Sequence, residues 1–279
     1  MKNYIKRATV ILSLVMAMSV PVNVHAEEYS GEPTEEGVYI AITGETEDFY
    51  SNEDIYNASI SMYDSEALAL YNQYLEQAPA SISEGEDFAV AALEGFTQYA
   101  VEEGIIEDTV EQRAAITKAV VRAEFKLVVA GGNVLGYTAA ATLLNHSLQD
   151  NPSNLSYVST TDMAKQIAGS TECTTIVNQF KSDVTGTNYV RKTNSGTTTL
   201  NSTTDLHLAY NNVNYSATGV KSNGKWTLTI TTYDFDAQSW KNAMTDNALV
   251  TILNNYAAYA QSIGAIVPYN VTVTVQTTF

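Results

Sequence analysis

The chain has 279 residues, with 31 acidic side chains against 14 basic ones and a formal net charge of −17. Such a surface repels phosphate backbones and anionic lipid, which argues against nucleic acid and anionic membranes as partners. A single cysteine, Cys173, rules out an intramolecular disulfide framework.

Lys2, Lys6 and Arg7 precede an apolar run from Ala8 to Val20, and Val24-His25-Ala26 offers small or apolar residues where a signal peptidase reads. Residues 1–26 therefore read as a secretory signal peptide with cleavage after Ala26. The run is shorter than the roughly 20 residues of a membrane span. No cysteine follows it to take a lipid, and no transmembrane segment is expected after signal removal. The signal carries three of the 14 basic residues and none of the 31 acidic ones, so the mature chain has a net charge of −20. A lone cysteine also suits secretion from a Gram-positive bacterium.

From Glu27 to Ile116 there are 22 acidic residues and one basic residue, Arg113. Residues 27–57 mix Gly, Pro, Ser and acids without periodicity and read as a flexible, solvating acidic arm. The D-x-D-x-D-G spacing of a calcium loop is absent. A helical region over 58–184 follows. Helices are expected at Met62–Gln77, Ser83–Glu103, Asp108–Ala130, Gly136–Gln149, Asp162–Ala168 and Thr171–Val184, with Gly131-Gly132 separating the third from the fourth and Pro152 ending the fourth. Residues 185–204, rich in Thr, Ser, Asn and Gly, read as a polar connector.

Residues 205–279 carry a different pattern. In Lys225–Asp236, Trp226, Leu228 and Ile230 alternate with Thr227, Thr229 and Thr231, the period of a half-buried strand. Asn223-Gly224 suits a two-residue hairpin turn, and Asn211-Asn212 suggests a second one. Two such turns set Ala217 opposite Ile230, Gly219 opposite Leu228 and Tyr215 opposite Thr232. They also set Tyr210 opposite Val213, Leu208 opposite Tyr215 and Leu206 opposite Ala217. The apolar residues then share one face of a three-stranded meander. The other face carries Asp205, His207, Asn214, Ser216, Thr218, Thr229 and Thr231, with His207, Ser216 and Thr231 in one row. Leu249, Ile252, Leu253, Tyr256, Ala260 and Ile263 follow a helical spacing up to Gly264 and Pro268. Val271, Val273 and Val275 then alternate in a last strand. The fold class expected is α+β: a helical N-terminal part, then a β-β-β-α-β unit with its long helix packed on a mixed sheet.

The groups that could carry chemistry are few. His146 with Asp150, four residues on, has the spacing of a general base and its orienting acid on one helix face. A surface histidine near a helix end is the plainer account. Asp205, His207 and Ser216 supply an acid, a base and a hydroxyl, but no G-x-S-x-G elbow accompanies them, and a wet sheet face is the plainer account. Cys173 lies beside Ile176 and Val177, as a packed thiol would. Two histidines without H-E-x-x-H give no metal site, and the Gly131–Gly136 stretch lies between helices, not after a strand, so no cofactor is expected. Thr229, Thr231 and Tyr233 stand out for recognition, as an aromatic ring among hydroxyls.

Two stretches, LLNHSLQDNPSNL (Leu143–Leu155) and TTYDF…LNNYAAYAQSIGAIVPYNVTV (Thr231–Val273), are similar to an uncharacterised group of secreted proteins from Gram-positive, gut-type clostridia. The resemblance implies compartment and source and carries no activity. Taken together, the residues point to a secreted binding or interaction module whose partner is a cell-surface protein or glycan. The rival is a secreted effector enzyme, a hydrolase or toxin acting on a cell-envelope substrate through His146 or the Asp205/His207 pair.

Overall fold

A computed structural model describes residues 62–77, 88–237 and 248–279. The acidic arm and the signal segment lie outside these residues. The described residues form eight helices and one five-stranded mixed sheet, an α+β fold. By contacts the chain divides into two compact units, residues 1–136 with 240–266 and residues 137–239 with 267–279.

The first unit is helical. It contains α1 (Met62–Gln77), α2 (Phe88–Glu102), α3 (Val110–Val134) and α8 (Ala248–Ser262). Thr109 caps α3 by accepting from the Gln112 N–H. Tyr71 meets Phe96 edge-on at 5.2 Å, and Leu68, Leu93, Val120, Val121 and Phe125 are buried with them. Gly131-Gly132 does not break α3, which runs through both glycines to Val134. A helical glycine costs only about 1 kcal/mol, and Gly131 and Gly132 are both buried within the helix. Helix α8 groups with this unit, not with the residues of the sheet. Its Tyr256 ring stacks on Phe125 at 5.7 Å and its hydroxyl bonds Glu124. The spacing of its apolar residues fixed a buried face, but not which surface would bury it.

The second unit contains α4 (Thr138–Ser147), β1 (Leu155–Tyr157), α5 (Asp162–Ala168), α6 (Thr171–Val184), β2 (Arg191–Thr199), α7 (Thr204–Tyr210), β3 (Asn212–Ser222), β4 (Lys225–Ala237) and β5 (Tyr269–Thr278). The sheet order is β1-β5-β4-β3-β2, with β1 and β5 parallel and the other pairs antiparallel. Asn223 (φ 51°) and Gly224 (φ 81°) form the hairpin turn with positive φ at both central residues. The β3–β4 register is the expected one: Ala217 with Ile230, Gly219 with Leu228, Tyr215 with Thr232.

The partner on the other side of β3 differs. Residues 205–210 are not a strand but lie in α7, and β2, drawn from the stretch read as a connector, pairs with β3. In the seven residues of α7 the alternation of Leu206, Leu208 and Tyr210 competes with a helical set, Leu206, Ala209 and Tyr210. Capping decides for the helix: the Thr203 hydroxyl accepts from the Leu206 N–H, and Leu206, Ala209 and Tyr210 are all buried. The Asn211 turn is present (φ 46°), but it joins a helix to a strand. Strands β4 and β5 are antiparallel neighbours, so no parallel crossover joins them.

The apolar face of the sheet carries Val213, Ala217, Leu228, Ile230, Val271, Val273 and Val275, covered by Leu143 of α4, Ile167 of α5, Ile176 and Phe180 of α6 and Leu206 of α7. Gly219 is a site of close approach. A Cβ there would stand 2.3 Å from Cζ of Phe180, whose ring packs edge-on to Trp226 at 5.7 Å.

Two measurements test this packing. Ile230→Ala, which empties a site 1 % exposed, is expected to cost about 2–5 kcal/mol in denaturant unfolding. Thr229→Ala and Thr231→Ala, on the opposite face, are expected to cost about 1 kcal/mol or less. Equal losses would mean that both faces are buried. Gly219→Ala forces the Phe180 ring aside and is expected to cost roughly 1–3 kcal/mol.

Candidate functional site

Because side chains alternate along a strand, the register that sends Ala217 and Ile230 inward sends hydroxyls and amides outward. One row on that face runs Ser195, Ser216, Thr231 and Thr274 across β2, β3, β4 and β5. A second runs Thr193, Thr218, Thr229 and Gln276. A third runs Thr197, Asn214, Tyr233, Thr272 and Ser156, reaching all five strands. The rows are laced together from strand to strand. The Thr193 and Thr218 hydroxyls lie 3.0 Å apart, Thr197 donates to the Asn214 side chain at 3.0 Å, Thr199 bonds Asn212, and Gln276 donates to Thr229 at 3.4 Å. Each hydroxyl that donates to a neighbour keeps acceptor capacity facing outward. Ser216, Thr229, Thr231 and Tyr233 are half-exposed. The structure thus brings Thr229, Thr231, Tyr233 and Ser216 together on one surface. Ser195 holds the row position expected for His207.

The candidate acid–base groups are not on that surface. Asp205 is 8 % exposed, on α7, and its two carboxylate oxygens accept the backbone N–H groups of Ala139 (3.0 Å) and Ala140 (2.8 Å) in the first turn of α4. Tyr137, the N-cap residue of α4, makes no side-chain cap bond. Asp205 therefore caps α4 from 66 residues away, placing a negative charge on the positive end of the helix. His207 donates from Nδ1 to Asn201 Oδ1 at 2.9 Å. Ser216 points to the face opposite Ala217, so Asp205, His207 and Ser216 form no common site.

His146 sits in the last turn of α4, which ends at Ser147, short of Asp150. Its Nε2 bonds the Ser153 carbonyl at 2.7 Å and its Nδ1 meets the Gln149 amide at 3.1 Å, so both ring nitrogens are engaged. The ring lies edge-on to Tyr269 at 4.6 Å, and the Tyr269 hydroxyl donates to the Leu143 carbonyl. The imidazole ties the end of α4 to the turn that follows and to β5. Cys173 is buried in α6, where burial pushes its thiol pKa up, away from the reactive thiolate.

Two groups escaped the sequence reading. Glu172 accepts from the Ser202 hydroxyl and the Asn201 N–H, tying α6 to the segment before α7. Burial raises its pKa, but these hydrogen bonds lower it by more, and it stays ionised. The other group is a set of buried phenols. Burial, then Tyr157 and Tyr269, pushes the Tyr210 hydroxyl far above the usual tyrosine range. Tyr157 and Tyr269 shift the same way, chiefly through burial. No spacing in the sequence joins 157, 210 and 269.

No family model, curated protein or solved structure matches the chain. Among the described residues no cluster of metal-ligating side chains occurs, and no helix is long and apolar enough to cross a membrane.

The remote cap is testable by urea titration. Asp205→Ala strands two N–H donors at a buried helix end and is expected to cost roughly 2–4 kcal/mol. Asp205→Asn, which keeps one acceptor oxygen, should lose less. His207→Ala is expected to change stability by about 1 kcal/mol or less. Equal costs for Asp205→Ala and His207→Ala would remove the cap from this account.

Proposed function

We propose that the chain is a secreted binding module of the outer cell surface, with the hydroxyl face of the sheet as its recognition surface and Thr229, Thr231 and Tyr233 at its centre. The observation that carries this reading is the continuity of hydroxyl and amide groups across the strands, opposite the face that holds the apolar core. A surface rich in donors and acceptors around one tyrosine ring suits a glycan or a polar protein surface at the cell exterior. The residues that suggested acid–base chemistry have structural work instead. Asp205 holds a helix N-terminus and His146 holds a turn. The basic start, apolar run and Val24-His25-Ala26 site support export from a Gram-positive cell.

Two experiments follow. Mass spectrometry of culture supernatant is expected to find a mature N-terminus at Glu27, whereas an intact N-terminus held in the membrane fraction would remove the secreted reading. Purified mature protein is expected to bind intact cells or members of a glycan array. The double variant Thr229→Ala/Thr231→Ala loses about 1–3 kcal/mol of hydrogen bonding, a weakening of roughly 5- to 150-fold, with the unfolding midpoint nearly unchanged. Unchanged binding by this variant and by Tyr233→Ala would move recognition off this face.

A further inference from the structure

The sheet ends on β2, and among the described residues no strand lies on its outer side. The register fixes which groups that edge offers. Leu200 N–H bonds Asn211 and the Val190 carbonyl accepts from Lys221, so the even-numbered residues of β2 turn their backbone groups to β3. The odd-numbered ones, Arg191, Thr193, Ser195, Thr197 and Thr199, therefore direct N–H and C=O outward. This is a nine-residue edge without proline or bulge, the protections that usually blunt one.

Two features say what would fit it. The first is charge. Arg191, Lys192, Lys221, Lys225 and Lys181 gather at one end of the sheet, and three of them lie over aromatic rings: Lys192 over Tyr189, Lys221 over Trp226 and Lys181 over Phe279. Lys192 is paired with Asp183 at 3.5 Å, and the other four leave that end basic. The second is an apolar strip beside the edge. Gly196 has no side chain, and the Tyr215 ring of β3 lies across it, with Cε1 and Oη 3.0 Å from where a Cβ would stand.

The acidic arm contains one segment of matching chemistry. Val38, Ile40 and Ile42 alternate with Tyr39, Ala41 and Thr43 between Gly37 and Gly44, a strand pattern of high β-propensity. Glu45, Glu47 and Asp48 follow directly. We propose that the free edge of β2 receives Val38–Thr43 of a second copy of the chain as an added antiparallel strand. In that orientation Glu45, Glu47 and Asp48 fall beside Arg191. The row of Val38, Ile40 and Ile42 faces the side of the sheet where Tyr215 crosses Gly196. The main-chain bonds supply affinity, and the apolar row and flanking charges supply register. The interface is heterologous, because edge and donor segment are different parts of the chain, so copies add head to tail. This surface is the edge of the sheet and is independent of ligand binding on the hydroxyl face.

Complementation tests it. Ser195→Pro removes an outward N–H and leaves the β2–β3 bonds intact, so the fold is retained. Ile40→Asp spoils the donor segment alone. Sedimentation velocity over a concentration series is expected to show association of the mature chain, and monomers for each variant alone. An equimolar mixture of the two variants should give a dimer that grows no further, since one variant keeps its donor and the other its edge. A mature chain monomeric at every concentration would overturn the proposal. So would association that survives Ile40→Asp, because the edges would then be pairing with each other. Amide exchange supplies a further check: residues 38–43 protected in a dilute monomer, and released by Ser195→Pro, would mean that the segment serves its own chain.

Discussion

The pairing of Ala217 with Ile230 decides where every other side chain of the sheet points. A strand has a period of two, so one slipped residue would bring Thr229 and Thr231 into the core and expose Leu228 and Ile230. The Asn223-Gly224 turn forbids the slip, because its two residues with positive φ leave no slack between the strands. The apolar cover, the hydroxyl rows and the parity of the free edge at β2 all inherit that register.

Asp205 shows how the helices of the second unit are held to it. A helix start with no cap of its own carries unsatisfied donors, and α4 starts at Tyr137-Thr138 without one. The carboxylate that satisfies them comes from α7, whose Leu206, Ala209 and Tyr210 are packed into the core of the sheet unit. One side chain thus joins the orientation of α4 to that of α7. The His146 ring does comparable work at the other end of α4, through Ser153, Gln149 and Tyr269. Ionisable groups committed in this way have few hydrogen-bonding positions left for substrate.

The readable parts of the sequence were those with strong local signals. The hairpin register followed from Asn223-Gly224 and the Thr/apolar alternation. Helices α1, α5 and α6 matched their expected bounds, and each of the last two starts on a capping residue, Thr161 or Ser170. Short segments with two valid periods were not readable. The run from Thr204 to Tyr210 alternates and is also amphipathic at helical spacing, so local pattern alone left it undecided. Strand β2 was hidden because Arg-Lys-Thr-Asn-Ser-Gly-Thr-Thr-Thr has no apolar residue to alternate; it is a strand because it borders β3. The role of Asp205 depends on a contact 66 residues away, which no spacing reveals. Of the candidate residues, the hairpin register alone set Ser216, Thr229 and Thr231 on one face, as the structure has them, whereas His207, expected in their row, lies on α7.

Strand β5 lies inside the sheet, between β1 and β4, although it is the last element in the chain. Its parallel partner β1 lies more than a hundred residues earlier, Leu155 facing Val271. Both units are also assembled from two separate stretches of chain. Contacts of such long sequence range slow folding, because the loop must close before its pairing contributes. As the chain is made from its N-terminus, the sheet has a gap between β1 and β4 until residues 269–278 arrive. Until then β1 and β4 both expose a bare edge, and the polypeptide is at its most vulnerable to proteases and to misassembly.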